Sequence, residues 1–289
     1  MMVSGFFSAN VTLTFKEYAL KKFRMLIFPS LTFGIIFVIS WHFATGGGIC
    51  VTFVKCYWFL KSAFVCSLLY FIVARSRYIV VMLCTTLLVS QFISFYAVNW
   101  MYPQFLVGVL LFKYKDWVVA NSQYYWLIFI VLFILMLRHW DSAMVESSNI
   151  PVYKYILSGD YTGLTTSISN FYYKVIMGAL GAISTITIFI SASKSIPSSR
   201  FGLLLGECGR LTLGIYLFQA IVLEHWMMRT INLSWMTNIM FNYVVTPILS
   251  IFVLVTCVIL TKIVMKNKWL FFMLLGGAYP ISIDKSKYL

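Results

Sequence analysis

Charge is the scarcest property of this sequence. Only 10% of the 289 residues are Asp, Glu, Lys or Arg, while 61% are hydrophobic; a soluble domain carries roughly 25% charged residues. So few charges cannot solvate the surface of a globule of this size, which excludes a soluble protein and points to an integral membrane chain. Long polar stretches are missing as well, so chemistry has to sit in the helices or the loops between them. Acidic residues are rarest: 8 Asp plus Glu against 22 Lys plus Arg, a net charge of +14. In a soluble chain that excess would suggest nucleic acid, but in a membrane chain it follows from Lys and Arg collecting in cytoplasmic loops. No nucleic-acid partner is therefore expected. The six cysteines (Cys50, Cys56, Cys66, Cys84, Cys208 and Cys257) are scattered through apolar runs without any C-x-x-C. They read as buried thiols, with Cys50–Cys56 the one pairing the spacing leaves open.

The phosphate-cradling, dinucleotide, nucleophile-elbow and zinc-protease signatures are all absent. Nucleotide hydrolysis, dinucleotide redox chemistry and zinc proteolysis have no support, and no metal site is expected. Only three histidines occur, His42, His139 and His225, each at an outer helix end. A general base facing an external substrate is one role for such a residue, and an interfacial side chain is the other. Glu224 and His225 are adjacent, and neighbours on a helix do not face one another, so they form no dyad.

What is present is a succession of apolar runs. Reading between charges gives an all-α, polytopic bundle of about eight transmembrane helices, near 25–43, 57–74, 78–97, 100–112, 118–137, 173–192, 210–228 and 239–262, within a single domain over 1–289. The fourth is short and contains Pro103, which predicts tilt, a break or a preceding interfacial turn. Alternation places fifteen of the 22 basic residues on one side and six on the other, with Arg210 at a helix mouth. The richer side is cytoplasmic, with both termini there, in the plasma (inner) membrane. Residues 1–9 are apolar but too short to span, and lack the basic flank and cleavage pattern of a signal peptide. They read as the last turns of a helix. Trp269–Ile283, with Gly276, Gly277 and Pro280, suits an interfacial or re-entrant segment better than a ninth span.

Residues 138–172 form the one long connection, on the external side. Asp141, Glu146, Asn149, Asp160 and Asn170 alternate there with Tyr153, Tyr155, Tyr161, Phe171 and Tyr172. Aromatic faces beside carboxylates and amides suit a sugar, whose C–H faces stack while its hydroxyls find partners. Tyr153, Tyr155 and Asp160 are the candidate acceptor-binding residues, and an amphipathic interfacial cap explains the same composition. Gly202-x-x-x-Gly206 allows close helix approach, and Glu207 and Arg210 stand three apart at a helix start.

Several segments together resemble the acyltransferase-3 family of multi-span membrane acyltransferases. Val3-Ser4-Gly5-Phe6-Phe7 resembles its Phe-x-Ser-Gly-Phe segment. Phe15-Lys16 through Lys21-Lys22-Phe23-Arg24 and on to Pro29 resembles the basic loop and Arg–Pro segment that follows. Tyr57-Trp58-Phe59-Leu60 resembles its Trp-Phe-Leu span, Leu106-Val107-Gly108 to Lys113 its Leu-Gly-x-x-x-Lys segment, and Gly206 to Gln219 its late segment ending Ile-Tyr-Leu-x-His. The motif positions singled out are Ser4, Gly5, Trp58, Tyr216 and Gln219.

The resemblance implies an enzyme that moves an acyl group, acetyl first, from a cytoplasmic acyl-CoA donor to a hydroxyl of a cell-envelope or capsular polysaccharide. Its partners are then the bilayer, acyl-CoA and an extracytoplasmic glycan, with no bound cofactor. Lys21, Lys22 and Arg24 are the candidate seat for the donor's phosphates, although a positive-inside flank explains the same three residues. Two departures stand out: the family's catalytic His lies in a first span that this sequence does not contain, and Gln219 replaces the late His. No catalytic residue is therefore assigned. The alternatives are a polysaccharide polymerase or transporter, or a truncated, non-catalytic remnant. Isolated rather than paired external arginines (Arg138, Arg229) count against a polymerase, and the lack of mid-span charges or repeats counts against a transporter.

Overall fold

The computed structural model describes residues 1–9, 12–45, 53, 56–93, 95–140, 155, 157–193, 206–227 and 240–276. Almost all of these are helical, and no strand occurs among them, as the all-α reading requires. The helices are α1 (Met2–Ser8), α2 (Phe15–Lys22), α3 (Phe28–Thr45), α4 (Trp58–Arg75), α5 (Ile79–Phe92) and α6 (Val98–Lys113). They continue with α7 (Lys115–Leu137), α8 (Tyr161–Ser193), α9 (Thr212–Gln219), α10 (Thr246–Lys266) and α11 (Lys268–Leu275).

Local chemistry explains where several of these helices start and change. Thr14 and Glu17 form a capping box at α2: the Thr14 N–H and hydroxyl both donate to the Glu17 carboxylate, at 3.0 and 2.7 Å. Pro29 cannot donate a backbone bond and crowds the preceding turn. The chain accommodates it with a π-helical turn, Phe23–Ile27, in which the Phe28 N–H reaches back to the Phe23 carbonyl. Asn267 caps α11 by accepting from the Trp269 and Leu270 amides, and Gly276 ends that helix in the left-handed region at φ 64°. The turn expected before the Pro103 helix is a 3-10 turn over Phe95–Ala97, with Tyr96 and Ala97 both at positive φ.

Within the described residues each predicted apolar run carries helix, but four or five span candidates stand where about eight were expected. Four stretches among the described residues are long and apolar enough to cross a membrane: Phe15–His42, Phe95–Lys113, Tyr161–Ala192 and Tyr243–Lys266. A fifth candidate, Lys115–Ser122 with Tyr124–Leu137, is bent by 89°. Trp58–Ala74, Ile79–Gln91 and Thr212–Leu223 are apolar helices of 10–17 residues. At 1.5 Å per residue these cover about 15–26 Å, short of a bilayer core of about 30 Å. The surface of α10 shows what surrounds such helices. It buries Val253, Cys257 and Val264 on one side and exposes Ile248, Ile251, Phe252, Val255, Ile259 and Ile263 on the other. A helix apolar on both faces belongs in lipid.

The loop expected over 138–172 is corrected in its second half. Residues 161–172 are the first turns of α8, a single helix of 33 residues, about 50 Å long and so longer than a bilayer core is thick. Residues 141–154 and 156 lie outside the described residues. The single domain expected over 1–289 resolves into two compact units that interleave in sequence: Met1–Tyr18 with Ser62–Ser199, and Ala19–Lys61 with Arg200–Leu289.

In the first unit, α7 packs along α8, and α1 packs on α6, which also meets α5 and α8. Phe6 and Phe112 meet edge to face, with ring centroids 5.2 Å apart, and the Gln104 amide donates to the Val175 carbonyl at 2.7 Å. In the second unit Phe33, Phe37, Tyr57, Leu60, Leu217, Val264, Phe271 and Leu275 form one core. There α9 packs tightly on α10: a Cβ at Gly214 would overlap the Thr261 side chain. The helix α11 lies between the end of α10 and the start of α3.

Candidate functional site

The second unit gathers most of the sequence-predicted positions. Lys21 and Lys22 end α2, and Arg24 follows in the π-helical turn. Lys21 and Arg24 are exposed, and Lys22 is half-buried. Arg24 is already engaged: its Nε donates to the Gly276 carbonyl at 3.2 Å, and its guanidinium lies 4.5 Å from the centre of the Phe272 ring. Through α11, the Lys21–Arg24 segment is joined to a second basic segment at the end of α10, where Lys262, Lys266 and Lys268 are exposed. Lys262 pairs with Glu207 at 3.0 Å. A rim of ammonium and guanidinium groups of this kind can seat phosphates. It cannot by itself transfer an acyl group.

Two motif segments about 160 residues apart meet beside that rim's unit core. Trp58 touches Phe59, with centroids 6.2 Å apart, and Phe59 touches Tyr216 at 5.6 Å. Tyr57, at the head of the first segment, ties the two together: its buried hydroxyl donates to the Leu217 carbonyl at 2.9 Å, from a backbone at φ 50°. Gln219 is exposed and is the last residue of α9 before the π-helical stretch Ala220–Met227. Such π segments concentrate at functional sites. Its amide can donate and accept hydrogen bonds but cannot take a proton.

Ser4 and Gly5 lie in the first unit. The Ser4 carbonyl accepts from the Ser8 hydroxyl at 2.7 Å, and Gly5 sits against α6 where a Cβ would overlap the Phe105 carbonyl oxygen. Of the acceptor-binding candidates, Tyr153 lies outside the described residues. Tyr155 and Asp160 are close together, in the first unit. The Tyr155 and Ser167 hydroxyls are 2.8 Å apart, and the Asp160 amide donates to the Tyr155 carbonyl at 3.2 Å.

Asp160 caps α8. Its Oδ1 accepts from the Gly163 amide at 2.8 Å and from the Thr162 hydroxyl at 2.9 Å. These two bonds, the Gly163 amide foremost, hold its carboxyl below the usual carboxylate range. A carboxylate occupied in this way keeps Oδ2 for a ligand at most. Of the small-residue pair, Gly202 lies outside the described residues, and Gly206 has no described residue within 4 Å of where a Cβ would stand.

The set that sequence reasoning missed is a buried cluster of hydroxyls in the first unit. Ser8, Tyr18, Ser62, Cys66, Ser67 and Tyr102 are all buried. The Tyr18 hydroxyl faces Ser8 and Ser67, the Cys66 thiol faces Ser62, and the Tyr102 hydroxyl donates to Thr86 Oγ1 at 3.0 Å. Polar groups at such depth are costly unless bonded. Scattered singly through apolar runs, they leave no pattern in the sequence. The cluster can orient a polar group, but it contains no carboxylate or imidazole to act as base.

Among the described residues no three His, Cys, Asp or Glu come together to hold a metal ion. His42 and His139 are exposed at helix ends, as read from the sequence. Compared with known proteins, the chain matches no family model, no curated protein and no solved structure.

Proposed function

We propose that the protein is a membrane O-acyltransferase, moving an acyl group, acetyl first, from a cytoplasmic acyl-CoA to a hydroxyl of an envelope or capsular glycan. The observation that carries this reading is the junction of Trp58 and Tyr216 through Phe59, in the unit that also holds Lys21, Lys22 and Arg24. Two segments chosen for their resemblance to acyltransferase motifs thus share one packed cluster. Tyr155 and Asp160, in the first unit, remain the acceptor-side candidates. The reading takes the four long apolar stretches, the bent pair and the three shorter apolar helices as eight spans. It orients their Lys- and Arg-rich ends to the cytoplasm, in the plasma (inner) membrane.

Acyl transfer to a hydroxyl needs a base for its proton and donors for the oxyanion. The basic rim serves only the donor's phosphates. Division of labour therefore makes a specific kinetic demand: removing rim charge should weaken use of the donor without altering the acceptor. The test reconstitutes the full chain in liposomes and follows label from acetyl-CoA into envelope glycan. Lys21→Ala with Lys22→Ala should raise the acetyl-CoA KM by roughly tenfold per lost charged contact, since a hydrogen bond to a charged group contributes about 1.5–3 kcal/mol. The acceptor KM should stay put. Absence of acetyl-CoA binding by the unaltered chain, or a double variant with wild-type donor KM, would remove the proposal.

A further inference from the structure

A slot of about 650 Å³ opens in the first unit between α4, α5 and α6. Its wall is mostly aliphatic, from Ile79, Leu83 and Leu87 on α5 to Leu106 and Leu110 on α6, with Tyr70 and Cys84 beside them, and among the described residues no carboxylate lines it. Among the described residues the charged one in the wall is Lys113, the last residue of α6, whose exposed ammonium lies 5.8 Å from the centre of the Tyr114 ring.

Topology places that charge at one end of the slot. The Gln91 amide donates to the Asn99 carbonyl at 3.1 Å and the Tyr102 hydroxyl to Thr86 Oγ1 at 3.0 Å, which sets α5 antiparallel to α6, and α4 ends just before α5 begins. The end of α4, the start of α5 and the end of α6 therefore lie together. Arg75, Arg77 and Lys113 belong to that end, and Arg75 is anchored there by a bond from its guanidinium to the Leu13 carbonyl at 2.6 Å.

The slot's dimensions limit what can fill it. Along α6 it runs from Pro103 to Lys113, about 15 Å at 1.5 Å per residue. That is half of a bilayer core of about 30 Å, the depth of one leaflet. A single hydrocarbon chain is thin enough, and the volume is ordinary for a small-molecule site of about 300–1,000 Å³. An apolar slot about one leaflet deep, with Lys113 at one end, is matched by an amphiphile with one anionic head.

We propose that this slot binds one acyl tail of an anionic phospholipid, with the headgroup phosphate held at Lys113. The site is independent of the acyl-transfer reading and holds whether or not the protein is an enzyme. It is occupied from the leaflet onto which Arg75, Arg77 and Lys113 open.

The test uses the full chain in phosphatidylcholine nanodiscs doped with a photoactivatable phosphatidylglycerol, or with phosphatidylcholine bearing the same photoactive tail. Crosslinked peptides are mapped by mass spectrometry. The anionic probe should label 79–87 and 103–113 at least threefold more than the zwitterionic one. Lys113→Gln should abolish that preference, and Leu83→Trp, which fills the slot, should suppress labelling there by both probes. Melting temperature checks that each variant is folded, and the two-probe ratio on the unaltered chain decides the matter without any variant. Equal labelling by the two probes, labelling of the slot no greater than that of the outward face of α10, or a preference untouched in folded Lys113→Gln would each overturn the proposal.

Discussion

Gly5 and Gly108 each seat the backbone of the other's helix. A Cβ on Gly5 would overlap the Phe105 carbonyl oxygen, and a Cβ on Gly108 would overlap the Met2 carbonyl oxygen. The obstructing atoms belong to backbone, so neither can swing aside, and α1 would have to lift from α6. Gly108→Ala should therefore cost about 2–3 kcal/mol, the upper part of the usual overpacking range. Gly206→Ala is the matched control. Among the described residues nothing stands within 4 Å of its Cβ position, and helix propensity alone predicts a gain of up to about 1 kcal/mol. Thermal melts of the detergent-solubilised variants separate the two, and a Gly108→Ala melt equal to wild type would refute the close crossing.

Asp160 makes a pH prediction of definite sign. Its carboxyl sits below the usual carboxylate range because the Gly163 amide and the Thr162 hydroxyl bond its charged form. A depressed folded pKa stabilises above the unfolded value, about 3.9, and that stabilisation disappears as pH falls through the lower folded value. Amide exchange over 161–165 should accelerate below about pH 4 in the native chain, beyond the intrinsic trend. Asp160→Asn keeps an oxygen acceptor and should lose this pH dependence, while Asp160→Ala should exchange fast at every pH. Equal protection in all three chains would show that the cap contributes nothing.

The helices were legible because lipid asks for a property that composition records directly. Their ends and contacts were less so. The start of α8 has the composition of a loop, because Thr162, Thr165, Thr166 and Ser167 lower its hydropathy. In the fold these side chains are bonded close by, Thr165 and Thr166 to the Thr162 carbonyl and Ser167 to Tyr155. A helix carries them without strain. Glu207 pairs with Lys262, on a different helix, which no local spacing in the sequence shows. Ser4 and Gly5 were marked through a motif, and nothing local could show that Gly5 faces Phe105. The Tyr57–Leu217 bond likewise joins residues 160 positions apart. Distant pairings of this kind leave no periodicity to read.

The Glu207–Lys262 pair should matter little despite its 3.0 Å geometry. Both side chains are nearly half exposed, at 45% and 49%. Partly exposed pairs of this sort contribute about 0.2–1 kcal/mol and are screened by salt. A double-mutant cycle with Glu207→Gln and Lys262→Met should give a coupling within that range, shrinking further in 0.5 M salt. A coupling above 2 kcal/mol would mean that the pair is buried in the membrane-embedded protein.

Tyr57 should matter more, because its hydroxyl is buried and the Leu217 carbonyl it serves already belongs to a helix. Tyr57→Phe keeps the ring packed on Phe33, Phe37 and Tyr216 and removes only the oxygen. A loss of about 1 kcal/mol is expected for one neutral hydrogen bond. Tyr57→Ala also empties the core, with about 3–5 kcal/mol lost. Denaturation of the two variants in mixed micelles orders them, and equal losses would mean that the bond, not the ring, holds α9 to this segment.

Arg24 separates a structural role from a donor-binding one. Its Nε bond to the Gly276 carbonyl and its stacking over Phe272 hold the end of α11 against the start of α3. Gly276 is suited to this place twice over: its φ of 64° disfavours a side chain, and a Cβ there would overlap the Arg24 carbonyl oxygen. Lysine keeps the charge but has neither the Nε donor nor the planar face. If Arg24 is chiefly structural, Arg24→Lys and Arg24→Ala should be destabilised alike, by about 1–3 kcal/mol for the lost charged hydrogen bond. If it also seats phosphate, Arg24→Lys should retain acetyl-CoA affinity that Arg24→Ala loses, at matched stability. Melting temperature and acetyl-CoA binding measured on the same two variants decide between these. The geometry favours the first outcome, because the guanidinium already has both a carbonyl and an aromatic face to hold, whereas Lys21 is exposed on the preceding turn. Donor affinity should therefore fall more in Lys21→Ala than in Arg24→Ala, and the reverse order would put the phosphate seat at Arg24.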